Sequence, residues 1–200
     1  EQMWHLLEQY DVIFDGTLGK VPDFKVHLQL KPDAVPQYSK PYRIPQIYLA
    51  TIKKEIQRLV EVGVLNVSDG STAWGAPSFI VPKKDGTVRF ISDFRRLNAM
   101  LIRKPWPIPN IMDILQSIGK YSYATALDLS MGYYHFELDD ESKQLATISL
   151  PFGKYQYQRL PMGIHMSPDM FQRYMSQLFI DLTNVHVYID DILITTQGSF

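Results

Sequence analysis

The run Val185-His186-Val187-Tyr188-Ile189-Asp190-Asp191-Ile192-Leu193-Ile194 sets two adjacent carboxylates between two strongly apolar flanks. Val and Ile favour extended backbone and fit a pleated, half-buried surface, so both flanks read as strands. Two ionised groups cannot enter such a surface without a large desolvation cost, so the acids must sit where the chain reverses. The segment predicts a tight hairpin, with strands over Val185–Tyr188 and Ile192–Thr196 and the acids at its tip. A solvent-exposed turn, where Asp is common, would account for this run taken alone.

A third carboxylate changes that reading. Asp128 closes Ala124-Thr125-Ala126-Leu127, within a stretch (Tyr123–Ser130) apolar enough to predict a buried strand. If the two strands pair, Asp128 and Asp190 converge on one point. Clustered carboxylates repel one another unless a cation neutralises them, and oxygen-only donor sets suit Mg²⁺ or Mn²⁺. Two such ions about 4 Å apart stabilise the attacking and leaving oxygens of an in-line phosphoryl transfer. No Gly-rich phosphate loop is present, which argues against an ATP-driven motor.

Charge distribution points the same way. The net charge is −1, which by itself suggests no nucleic-acid partner. Yet Phe79 to Asn110 holds seven basic residues (Lys83, Lys84, Arg89, Arg95, Arg96, Arg103, Lys104) against two acidic ones, while Tyr174 onward holds Asp181, Asp190 and Asp191 and no Lys or Arg. A basic wall beside an acidic one suits an enzyme that grips phosphates and cations separately, although a solvated charged face has the same composition. The chain has no cysteine, which excludes disulfides and a Cys-based zinc site and fits a reducing compartment. Its five histidines show no ligand spacing and read as structural or surface groups. No apolar stretch is long enough to span a bilayer, and the N-terminus lacks the pattern of a signal peptide.

With 200 residues, 46% of them hydrophobic, the chain can bury one domain or two tightly joined subdomains. Val26–Leu30 alternates like a strand, and Lys31–Pro45 is extended and Pro-spaced. Ile47–Val62 predicts a helix carrying Ile52, Ile56, Leu59 and Val60 and ended by Gly63. Ser78–Pro82 and Thr87–Ser92 flank Lys83-Lys84-Asp85-Gly86 as a hairpin. Asn110 caps a short helix with Ile111, Ile114, Leu115 and Ile118 on one side. Leu145–Leu150 and Tyr155–Leu160 form another hairpin, joined through Pro151-Phe152-Gly153-Lys154. Ser167 is placed to cap a helix with Pro168 at its first position and an apolar stripe of Phe171, Tyr174, Met175, Leu178, Phe179 and Leu182. Helices and antiparallel strands mix without a βαβ rhythm, so the class is α+β.

Several of these pieces occur in a known order. Leu127-Asp128-Leu129-Ser130-Met131-Gly132-Tyr133, Leu160-Pro161-Met162-Gly163, Ser167-Pro168-Asp169-Met170-Phe171-Gln172-Arg173 and Tyr188-Ile189-Asp190-Asp191 resemble the successive motifs of reverse transcriptases. The block from Lys83 to Asn98 resembles the fingers motif of that family. Phe14-Asp15-Gly16, Leu59–Leu65 and Pro105-Trp106-Pro107-Ile108-Pro109 are similar to long-terminal-repeat retrotransposons of the Ty3/gypsy type. The resemblance runs from about Leu6 to Thr196.

The resemblance implies a right-hand polymerase fingers and palm, with an antiparallel palm sheet backed by helices and the thumb absent. It divides the chain into a leader (1–25), fingers (26–102), palm (103–135), fingers (136–166) and truncated palm (167–200). It implies RNA-directed DNA polymerase chemistry with two Mg²⁺ ions, Mn²⁺ being an alternative. Asp128, Asp190 and Asp191 are the catalytic carboxylates and, with the Leu129 carbonyl, the metal ligands, Asp128 and Asp190 being preferred as direct ones. Arg89 and one of Lys83 or Lys84 contact the incoming triphosphate, and Tyr133 lies under the sugar, where its ring blocks a 2′-hydroxyl. Met162 packs beside the nucleotide in a position where the relatives carry Phe or Gln. Template contacts fall to Phe79, Ile91 and Arg95, and of Arg95 and Arg96 one tracks the template while the other pairs with Asp93. The implied partners are an RNA or DNA template-primer, dNTPs and the thumb, connection and RNase H regions of a parent polyprotein. No membrane is among them, and the implied location is intracellular, in a cytoplasmic virus-like particle. An RNA-dependent RNA polymerase palm and a non-catalytic RNA-binding scaffold stay open beside this reading.

Overall fold

The computed structural model describes residues 2–82 and 88–198. The expected turn at Lys83-Lys84-Asp85-Gly86 therefore lies outside the described residues. Helix α1 (Gln2–Gln9) and a 3₁₀ turn at Asp11–Ile13 lead to strand β1 (Lys25–Val26). Helix α2 (Gln46–Glu61) sinks Ile52, Ile56 and Leu59 into the core at helical spacing. Gly63 ends it at φ +73, a left-handed position that a side chain would strain.

Strands β2 (Leu65–Val67), β3 (Ala76–Pro82) and β4 (Val88–Ser92) precede the short helices α3 (Arg95–Met100) and α4 (Ile111–Ser117). Next come β5 (Tyr123–Asp128), a 3₁₀ turn at Gly132–His135, β6 (Glu137–Leu138) and α5 (Asp140–Leu145). The chain closes with β7 (Thr147–Leu150), β8 (Gly153–Tyr157), α6 (Ser167–Leu178), β9 (Val185–Tyr188) and β10 (Asp191–Thr196).

Three sheets result. The largest has the order β2-β8-β7-β3-β4 and is antiparallel except where β3 meets β7. The order β5-β10-β9 gives a fully antiparallel three-stranded sheet, and β1 pairs with β6 in parallel. One continuous core joins α2, the large sheet and α6, with Phe94, Phe136, Leu160 and Phe171 among its fully buried members. The α+β class and the antiparallel sheet with a helix behind it are as expected.

Several local expectations are corrected. Tyr123–Ser130 was expected to be buried, but every residue of β5 is exposed. β5 is an edge strand, and α6 packs under β9 instead, so Leu127 stays 38% exposed while its neighbour Ile192 is buried. The apolar side of α4 is likewise open, although Asn110 caps it as expected by accepting from the Met112 N–H. Ser167 is the first residue of α6 rather than its cap, because its hydroxyl donates to the Pro161 carbonyl. The strand expected over Val26–Leu30 stops at Val26, since the Leu28 N–H donates to the Ser142 hydroxyl. Leu145 ends a helix, and β8 runs Gly153–Tyr157 rather than Tyr155–Leu160.

Candidate active site

β-branched flanks and a polar tip build the β9–β10 hairpin, and its register decides what the acids face. Asp191 lies directly opposite Asp128 on one side and Tyr188 on the other, so all three share a face at the end of the sheet. Ile189 takes the turn at φ +54, which makes Asp191 the first strand residue and leaves Asp190 at the tip. Asp128 is thus the register partner of Asp191, with Asp190 on the adjoining tip. The Leu129 N–H donates to the Asp190 carbonyl at 3.1 Å and ties the end of β5 to that tip.

Directly opposed residues on a strand pair have Cβ atoms about 5 Å apart, and like charges there destabilise the pair. Asp128 and Asp191 are exposed and Asp190 half-buried, so the donor set is all oxygen and open to solvent. Among the described residues no three His, Cys, Asp or Glu side chains already close around one point. In donor chemistry, all carboxylate and carbonyl oxygen, the set suits a hard divalent cation, with the tip acid adjoining an opposed pair.

Tyr133 stands on the 3₁₀ turn beside this cluster. A Cβ at Gly132 would meet the Phe171 ring at 3.0 Å and the Asp190 Cβ at 3.7 Å, so a side chain there would have to push the Phe171 ring by a few tenths of an ångström. The Tyr133 ring meets Phe171 edge-on, 5.2 Å between centroids. Burial, and then the charge of Asp190, push its hydroxyl up to about 12. His135 Nε2 lies 3.2 Å from the Ser130 carbonyl, closing the loop between Asp128 and Tyr133.

A second cluster sits on the large sheet. Phe79 opposes Ile91, and both line a cavity of about 550 Å³ with Tyr42, Phe94, Arg95 and Gly163. Arg89 lies two residues before Ile91 on β4, hence on the same face, and is exposed. Met162, 53% exposed, precedes Gly163. A neighbouring cavity of about 690 Å³ is lined by Tyr38, Lys40, Tyr42, Arg95 and Arg96 among others. Arg95 is the arginine that pairs with Asp93, Nε to Oδ1 at 2.8 Å and Nη2 to Oδ2 at 2.7 Å, while Tyr42 donates to the same carboxylate at 3.0 Å. The Arg95 bonds, against the opposing effect of burial, hold the Asp93 carboxyl well below the usual range. Arg95 is still 84% exposed in its side chain, and Arg96 lines the larger cavity.

The structure thus gathers Asp128, Leu129, Tyr133, Asp190 and Asp191 in one place and Phe79, Ile91 and Arg95 in another. Lys83 and Lys84 lie outside the described residues. Sequence reasoning passed over Tyr38, Lys40 and Tyr42. Their signal was the interleaving of aromatic and basic residues in Gln37-Tyr38-Ser39-Lys40-Pro41-Tyr42-Arg43.

Residues 81–199 match the family model described as reverse transcriptase (RNA-dependent DNA polymerase). The chain belongs to the reverse transcriptase family. Its relatives include the retrovirus-related Pol polyproteins of the Drosophila melanogaster transposons 297, at 35% identity over 80% of this chain, and 412, at 32% over 86%. It is also 29% identical, over 83% of its length, to the Pol polyprotein of the transposon gypsy from the same organism. These are the retrotransposon relatives that the motifs implied. The chain spans 16%, 14% and 17% of those three proteins. Among solved structures, the native protease-reverse transcriptase of prototype foamy virus superposes with a TM-score of 0.87 at 27% identity, covering 98% of this chain and 26% of that one. A foamy viral protease-reverse transcriptase in complex with an RNA/DNA hybrid, 24% identical, shares the fold at a TM-score of 0.88. No helix among the described residues is long and apolar enough to cross a membrane.

Proposed function

We propose that this chain carries the fingers and the catalytic part of the palm of an RNA-directed DNA polymerase. The three-stranded sheet is the palm and the five-stranded sheet the fingers, with the boundaries set out above. The observation that carries the reading is the register that opposes Asp128 and Asp191 at an open sheet end, with Asp190 on the adjoining tip. Opposed carboxylates are unfavourable in apo form, and a cation removes that cost. Asp128, Asp190, Asp191 and the Leu129 carbonyl would hold two Mg²⁺, or Mn²⁺, ions. When bound, these ions supply Lewis-acid stabilisation of the charge that develops on the transferred phosphorus group.

The chain's own residues provide positioning. Arg89 grips the triphosphate of a dNTP as a flat fork, and Lys83 or Lys84 adds a point charge. Tyr133, fixed against Phe171, walls the sugar, and Met162 packs beside the nucleotide. Phe79 and Ile91 offer an apolar shelf to the template base; Arg95, although it is the arginine that pairs with Asp93, stays exposed enough to follow the template backbone, with Arg96 beside it at the larger cavity. The partners are an RNA or DNA template-primer and the thumb, connection and RNase H regions of a parent polyprotein, acting inside the cell in the particle of the element.

The test is primer extension by the chain joined to the thumb-side regions of its parent. Asp190→Asn should abolish extension and leave the thermal midpoint equal or higher, because one repelling charge is gone. A variant that keeps a tenth or more of the parental turnover overturns the assignment.

A further inference from the structure

Three backbone and side-chain facts meet behind the acidic turn. Among the described residues β9 is an edge of its sheet, so the outer row of its peptide groups has no partner strand there. Ile189, the residue before Asp190, holds a left-handed φ of +54 that costs a β-branched side chain strain. Gln172 of α6, only 1% exposed, reaches this edge from below. Its Oε1 accepts the Ile189 N–H at 2.7 Å, and its Nε2 donates to the Val187 carbonyl at 3.2 Å and to the Ser176 hydroxyl at 3.0 Å.

The amide therefore bonds to β9 as a peptide group of a fourth strand would, taking the N–H of one residue and serving the carbonyl two residues earlier. Both of its donors and its acceptor are engaged, so it can rotate only by breaking bonds in a buried place. No hydrocarbon of the same size can do this, and a carboxylate would lose both donated bonds.

We infer that Gln172 is a positioning residue that fixes the strained Ile189 peptide and so sets where the Asp190 and Asp191 carboxylates point. This rests on the proposed reading of those acids as cation ligands. Residues that orient ligands from behind change metal affinity typically by about ten- to a hundredfold when removed. Ser176 has a lesser part, steadying the amide from the helix side.

The 200-residue chain tests this with two readouts: hydrogen exchange of the Ile189 amide and Mn²⁺ affinity by water-proton relaxation. Gln172→Met should speed Ile189 exchange and raise the Mn²⁺ Kd, each at least about tenfold, with exchange in β7 and β8 unchanged. Asp128→Asn serves as the reference for ligand loss. If Asp128→Asn weakens Mn²⁺ binding and Gln172→Met leaves both readouts within about twofold of the parent, positioning is overturned while the cation site stands. If Asp128→Asn leaves Mn²⁺ binding unchanged, the cation reading fails, and a Gln172 that alters exchange alone supports a turn, which also overturns the positioning role. Should Gln172→Met lose the fold, Ser176→Ala takes its place with the same two readouts: faster Ile189 exchange together with weaker Mn²⁺ binding supports the proposal, and any other outcome overturns it.

Discussion

Tyr133 is clamped rather than merely placed. A side chain at Gly132 would crowd the Phe171 ring, and the Tyr133 ring leans edge-on against that same Phe171. Such a ring cannot yield cheaply, and a rigid wall discriminates better than an attractive contact because overlapping atoms cost more than a lost contact. Tyr133→Ala should therefore narrow the deoxy-over-ribo ratio of kcat/KM by at least about tenfold, roughly 1.4 kcal/mol. Deoxynucleotide use should fall less than ribonucleotide use rises. Parallel kinetics with both nucleotide classes check this, and an unchanged ratio would favour an RNA polymerase palm. Asp93 makes a second prediction at this scale. Its carboxyl is depressed chiefly by the Arg95 bonds, so its stabilising effect is complete above the ordinary aspartate value of 3.8 and fades as pH falls through the lower folded value. The thermal midpoint of the parent should drop steadily below pH about 4, and that of Asp93→Asn should drop less steeply. Melting curves that fall in parallel would mean that Asp93 is not coupled to folding.

Helix α6 binds the pieces together and carries a cost if its ties are cut. Asp169 in its first turn is 2% exposed in its side chain and accepts Arg103 Nε at 2.9 Å, Arg103 Nη2 at 3.3 Å and the Trp106 N–H at 3.1 Å. The Pro-rich connector is thereby fastened to the helix that also holds Gln172 and Phe171. Arg103→Met would leave a buried carboxylate with one backbone donor. Because the arginine is half-exposed, the loss should be smaller than for a fully buried pair, yet large enough to shift the unfolding midpoint. The urea midpoint at constant m-value measures it, and a shift within error would show that solvent replaces the arginine. α2 and the β9–β10 hairpin were legible because each carries its own period, its own stop signal and its own apolar face. α3 and α5 were not, since six residues hold too little pattern, although Asp139 caps α5 through the Ser142 N–H. The three clustered acids were legible in composition, but the register that opposes two of them was not. A one-residue difference in where the turn falls decides whether Asp190 or Asp191 faces Asp128, and that depends on the left-handed Ile189 and the Gln172 bonds behind it, neither of which has a sequence signature. β5 misled for a different reason: apolar composition records which residues tolerate burial, not which neighbour arrives to bury them.

On the scale of the whole molecule, charge is separated rather than accumulated. A net charge of −1 gives no general attraction to a polyanion, so the proposed template binding rests on local geometry. The two cavities that share Tyr42, Asp93 and Arg95 place the Arg95 and Arg96 guanidinium groups and several aromatic rings along one groove. Phosphate contacts give affinity that is salt-dependent and nearly blind to sequence, whereas stacking gives affinity that salt barely touches. The two contributions can be separated by substitution. Arg96→Gln, which removes a cation at the larger cavity and leaves the Asp93–Arg95 pair intact, should weaken binding of all template-primers alike and flatten the slope of log K against log salt by about one. Tyr42→Ala, by contrast, should weaken binding by about 1–3 kcal/mol while leaving that slope nearly unchanged. Fluorescence anisotropy with two unrelated template-primers across a salt series distinguishes them. If parental affinity is flat between low and physiological salt, or if Arg96→Gln leaves the slope where it was, the groove does not track the backbone, and the template must cross the molecule elsewhere.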